Sequence, residues 1–123
     1  MNKIEVSARM TIRPGKLDGF KRQALEIIRQ TREKDTKTLR YEWYLNSDNT
    51  ACEVREAYES SDGLVEHRMH VGEAINALFA EFAEGHAVTI YGEPSPKLKA
   101  MVQAHKEVNS TWYSRLGGLE TSS

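Results

Sequence analysis

The sequence predicts an α+β fold with a β-α-β-β-α-β order and an antiparallel sheet, the split βαβ arrangement of ferredoxin-like domains. Three observations point to it. The apolar period alternates between the two residues of a strand and the 3.6 of a helix along the chain. Turn-forming residues separate the segments of unlike period. The chain of 123 residues can bury one core but not two.

The first strand, "IEVSARMTI", alternates strictly, with Ile4, Val6, Ala8, Met10 and Ile12 opposite Glu5, Ser7, Arg9 and Thr11. "RPG" ends it, because Pro14 has no N–H for a ladder and Gly15 permits a turn. From Leu17 the period is helical: Leu17, Phe20, Ala24, Ile27, Ile28 and Thr31 form a stripe opposed by Lys21, Arg22, Glu26, Arg29 and Glu33. "TLRYEWYLN" and "ACEVREAY" then read as a hairpin closed by the turn residues "NSDN". Leu39, Tyr41, Trp43 and Leu45 share one face of its first strand, and Cys52, Val54, Glu56 and Tyr58 one face of its second.

Ser60 or Ser61 is a fitting N-cap for the second helix, and Asp62 complements its dipole. Its stripe is Leu64, Val71, Ile75, Leu78, Phe79 and Phe82, with Gly72 a candidate break. "HAVTIY" after Gly85 is the fourth strand, ended by "GEPSP". A short polar helix ("SPKLKAMVQAHKEV") and a β-prone piece ("STWYSRLGGLE") follow. The expected division is a domain over 1–96 and an extension over 97–123, the latter docking on a partner subunit. With helices on one face only, the other sheet face needs cover. Tyr41 and Trp43 on one side of the hairpin and Tyr44 on the other favour a homodimer of sheets packed face to face.

The charge balance argues against two classes of partner. Seventeen Lys and Arg against eighteen Asp and Glu leave a net charge of -1, with the signs interleaved. No field attracts nucleic acid or a membrane surface. The single cysteine, Cys52, sits within a strand as a buried, unreactive thiol, which fits a reducing compartment. "MNKIEVSARM" has no apolar signal core, and the expected location is cytoplasmic.

The residues that could carry chemistry cluster around "AYESSDGLVEHRMH". Helical geometry puts His67 at the edge of the buried stripe and His70 largely toward solvent. Two histidines three apart can chelate, but no third and fourth ligand with suitable spacing accompany them, so no metal is expected. His67 reads either as a base or hydrogen-bond donor at a pocket mouth, or as a structural histidine bonded to a carboxylate such as Glu56. Glu56 stands in an apolar row and needs a partner or a raised pKa there. Tyr41, Trp43 and Tyr58 could form a platform for an aromatic ligand, with packing as the commoner use of such rings. Arg9 and Arg55, opposite the apolar rows, could stabilise an oxyanion or simply pair with Glu53 or Glu5 across strands.

Four pieces in this order resemble the antibiotic biosynthesis monooxygenase family, the quinol-monooxygenase-like dimeric α/β barrels. They are the first strand with "RPGKLDGF", the hairpin "LRYEWYL…CEVREAYESSDGLVEH", the helix "INALFAEF", and "IYGEPSP" after the last strand, covering roughly residues 3 to 96. The resemblance implies a homodimer with a pocket between each sheet and its own helices, binding a small aromatic molecule. It implies oxidation of a quinol or phenol by molecular oxygen without metal, flavin or other cofactor. In such a reaction the protein binds the ring, favours its anion and excludes water. His67 matches the histidine that often follows the third strand in this family. The heme-degrading branch carries an asparagine where Ala8 stands and a tryptophan where Tyr58 stands, so heme is not expected. Two alternatives share the fold: a small-molecule-binding or stress-response dimer without catalysis, and an oxygen-independent isomerase or decarboxylase.

Overall fold

Strand β1 (Ile4–Ile12) lies at the centre of a five-stranded sheet in the computed structural model, which describes residues 2–119. Its strict alternation explains the position: flanked on both sides, it buries Ile4, Val6, Ala8, Met10 and Ile12 to 6% exposure or less. β3 (Ala51–Tyr58) and β4 (Ala83–Tyr91) pair antiparallel with it, and β2 (Thr38–Leu45) pairs with β3 at the edge. Helices α1 (Leu17–Lys34) and α2 (Ser61–Glu81) cover one face. Gly19 lets them close on the strand end: a Cβ there would stand 2.2 Å from Cε1 of Phe82.

These elements realise the β-α-β-β-α-β order and the α+β class. Two boundaries differ from the sequence reading. α2 runs unbroken past Gly72, whose helix surface has room and no competing turn signal. β4 starts at Ala83 rather than His86, because Gly85 (φ 70°) forms a bulge within the strand instead of ending it. The register against β1 shifts there, between Arg9 and Thr11.

The extension joins the sheet of its own chain. α3 (Pro96–Ala104) begins with Ser95 accepting from the Leu98 N–H and Pro96 in the first turn. β5 (Asn109–Tyr113) then joins the sheet in parallel beside β4, which makes the sheet mixed. Residues 96–113 thus dock on their own chain. Leu98 is fully buried, and Trp112 packs against Ile4, Val6, Ile90 and their neighbours.

The core has two parts. One lies under α1 and α2 around Phe20, Ile27, Val54, Val71 and Leu78. The other lies under α3 around Ile4, Val6, Tyr58, Leu64, Ile90 and Leu98. Cys52 is buried in the first, and burial pushes its thiol up to about 11, as an inert thiol requires. On the helix-free face, Tyr44, Tyr91 and Tyr113 are exposed, the last two stacked with ring centroids 5.8 Å apart. Trp43 and Leu45 turn toward the helices, so of the hairpin's large groups only Tyr44 belongs to the uncovered face.

Candidate active site

A cavity of about 90 Å³ opens between the two parts of the core. About 10–15 Å³ on this scale admits one water, so the space suits a molecule of several heavy atoms. Its walls are aliphatic: Val6, Ala8, Val88 and Ile90 from the sheet, Leu64 and Ile75 from α2, and Met101, Val102 and Val108 from the extension. Five polar side chains interrupt them: Glu56, His67, Arg68, His86 and His105. An apolar room with a few convergent polar groups is the usual form of a small-molecule site.

Glu56 faces the cavity because β3 alternates and places it opposite Val6 on β1 and Tyr41 on β2. It is 8% exposed, and the Tyr58 hydroxyl donates to its Oε1 at 2.5 Å. Burial raises its pKa; the charges of His67 and Arg68 and the tyrosine hydrogen bond act the other way. Glu56 can therefore hold a proton that an exposed carboxylate would have lost.

His67 is buried at 3% exposure, one turn along α2 from Leu64 and one before Val71. Its Nδ1 lies 2.8 Å from Oδ2 of Asp35. Burial pushes the Asp35 carboxyl upward, but hydrogen bonds from His67, His70 and Thr38 prevail and hold it at about 2. An ionised carboxylate only accepts, so Nδ1 of His67 carries the hydrogen and Nε2 is the nitrogen available to a ligand. Tyr41 closes the other side, its ring centroid 4.6 Å from the imidazole, edge-on. His67 is thus deeper than a helix-edge position, and its partner is Asp35 rather than Glu56.

His70 is drawn to the same carboxylate, Nδ1 to Oδ1 at 2.7 Å, instead of pointing largely to solvent. Ligand atoms of Asp35, Glu66 and His70 fall within 4.8 Å of one another. Hydrogen bonds already engage them, since Glu66 accepts from Thr36 N and Oγ1.

His86 stacks on Phe79 with centroids 4.3 Å apart. Burial, helped by the Arg68 charge, brings its pKa down to about 4, so it is neutral at physiological pH. Burial also lowers Arg68, with Glu107 and Glu56 acting against the fall.

Of the residues expected to act together, the fold gathers Glu56, His67, Tyr58 and Tyr41. Tyr58 is hydrogen-bonded to Glu56 and Tyr41 packs on His67, and the walls themselves are not aromatic. Trp43 packs on Phe20 with centroids 6.1 Å apart, away from the cavity lining. Arg9 and Arg55 belong to the opposite sheet face, because the β1 and β3 alternation that buries Ala8 and Glu56 turns them outward. Arg9 donates to Ser7 at 3.0 Å and to Thr89 at 3.1 Å. Neither arginine can share a ligand with His67.

Asp35, Arg68, His86 and His105 were not anticipated. Arg68 lies on the α2 stripe, four residues from Leu64, and His86 alternates with Val88 and Ile90, so their positions carried a signal. Asp35 sits in the connection "KDTK" after α1, where no periodicity marks it.

This geometry defines an α+β protein with an apolar pocket into which Glu56, His67 and Arg68 project, and its fold is shared with known structures. MupZ from Pseudomonas fluorescens superposes with a TM-score of 0.83 at 19% identity, covering 99% of this chain and 97% of that one. Such coverage takes in α3 and β5. Rv0793 from Mycobacterium tuberculosis matches with a TM-score of 0.65 at 24% identity, over 76% of this chain and 97% of that one. A Nitrosomonas europaea protein, provisionally described as an antibiotic biosynthesis monooxygenase, matches at 0.66 and 18% identity, over 77% of this chain and 93% of that one. The chain shares the fold of these three proteins. No family model matches it, and no curated protein matches it by sequence.

Proposed function

We propose that the protein is a small-molecule enzyme that moves protons on an apolar, polyketide-like substrate using its own side chains. The observation that carries this reading is the pair of unlike groups on one cavity. Glu56 is pushed toward its neutral form, and His67 is fixed in one tautomer by an ionised Asp35. Glu56 donates a proton and His67 Nε2 accepts one, as isomerisation or decarboxylation needs. The aliphatic walls favour a substrate that is not mainly a flat ring.

The second reading is a cofactor-independent monooxygenase acting on a quinol or phenol. It is favoured by the fold shared with the proteins described as antibiotic biosynthesis monooxygenases. In it His67 removes the phenolic proton and the resulting anion reacts with oxygen. In both readings the protein works as a homodimer, joined through the helix-free sheet face.

Deuterium exchange from heavy water into a panel of aliphatic and cyclic ketones, with oxygen uptake on reduced quinols in parallel, separates the two. Exchange that His67→Ala abolishes supports proton transfer. Oxygen uptake lost in the same variant supports the oxygenase. Neither activity leaves a binding protein.

A further inference from the structure

Arg68 stands apart from the other charged groups. It is half-buried, lines the cavity, and among the described residues has no hydrogen bond and no salt bridge. Arg22, Arg32 and Arg55 also lack such a partner, but they are exposed and water serves them. The Arg68 guanidinium stands at the cavity wall where solvent also reaches it, and its five N–H donors have no protein acceptor there, so they are available to a ligand that enters.

The nearby carboxylates do not fill the gap. Glu107 pairs with His105, Nδ1 to Oε2 at 3.5 Å, and Glu56 is held by the Tyr58 hydroxyl. Both act on Arg68 through space without closing a salt bridge with it. His86, neutral and stacked on Phe79, adds no opposing charge beside it.

We infer that Arg68 is the anchor for a carboxylate on the substrate, so that the ligand is an aliphatic acid whose chain lies along Val88, Ile90 and Met101. A planar guanidinium donates two parallel hydrogen bonds to a carboxylate, and the low-dielectric walls strengthen the pair. The anchor fixes which carbon of the chain meets Glu56 and His67, so Arg68 is a specificity-determining residue. This inference rests on the reading of the cavity as a substrate site.

The test is calorimetric binding of hexanoate and of its neutral counterpart hexanamide at pH 7.5. Wild type binds hexanoate about tenfold or more tightly than hexanamide, as a charge-assisted pair beside apolar walls should. Arg68→Gln binds the two alike, and Arg68→Lys keeps a reduced preference. Equal binding by wild type, no binding of either probe, or a preference that survives in Arg68→Gln overturns the anchor. A hexanoate preference in a protein inert in the deuterium-exchange assay sinks the acid–base reading and leaves the anchor standing.

Discussion

Asp35 and His67, 32 residues apart in the chain, meet at 2.8 Å across the top of the hairpin sheet. The end of one helix thereby fixes the imidazole on another. The same carboxylate takes His70 at 2.7 Å and the Thr38 hydroxyl at 2.6 Å, so it is held as firmly as it holds.

Replacing Asp35 by Asn should lower turnover about a hundredfold or more, because the amide no longer enforces the tautomer that frees Nε2. It should also cost stability. The Asp35 pKa falls from 3.8 to about 2 on folding. Its contribution is thus present above pH 3.8 and lost as pH falls through about 2, and it amounts to something on the order of 1–2 kcal/mol after solvent screening. Thermal melts of both proteins between pH 2 and 7 check this; a gap that stays constant down to pH 2 contradicts it.

Glu56→Gln should abolish activity and yet raise stability at neutral pH. The folded pKa of Glu56 lies above its ordinary 4.5, so its favourable contribution is complete below pH 4.5 and lost as pH rises through the folded value. Glutamine keeps the shape and still accepts from Tyr58, but carries no charge to bury. The melting-temperature advantage of the variant should therefore grow from pH 4.5 upward. An advantage that shrinks with rising pH would show that Glu56 is buried as a well-satisfied anion.

Leu98→Ala tests whether the extension is part of the core. Leu98 is fully buried, and its truncation should cost about 2–5 kcal/mol in denaturant unfolding. The cost should come with weaker ligand binding, since Met101 and Val102 on the same helix form a cavity wall. A variant with unchanged stability would mean that α3 detaches without consequence.

Tyr44→Asp and Tyr91→Asp place charge on the helix-free face at exposed positions, so the subunit should fold normally. Light scattering should give twice the 14.0 kDa chain mass for wild type and a monomer for the double variant. A wild-type monomer, or a double variant that stays dimeric, rules out assembly through that face.

The sheet and both long helices were legible in the sequence because each depends on local periodicity: Ile4 to Ile12 alternate, and Leu64 to Leu78 recur at helical spacing. Glu56 was legible for the same reason, as an acid in an apolar row. What the pattern could not reveal depends on contacts between distant segments. Asp35 looks like any loop carboxylate until α1 ends beside α2. The bulge at Gly85 resembles a strand end, since a glycine of positive φ serves both uses. The tail's place in its own chain's sheet was not legible because its five strand residues pair in parallel with β4, and a parallel partner leaves no hairpin turn to announce it.

The division of labour around the cavity has an evolutionary corollary. Glu56 and His67 come from β3 and α2, whereas much of the opposite wall comes from residues 96–113, one continuous segment appended after the split βαβ unit. A chain arranged in this way can exchange that segment for another, by recombination or by design, and reshape the cavity while Glu56 and His67 stay where they are.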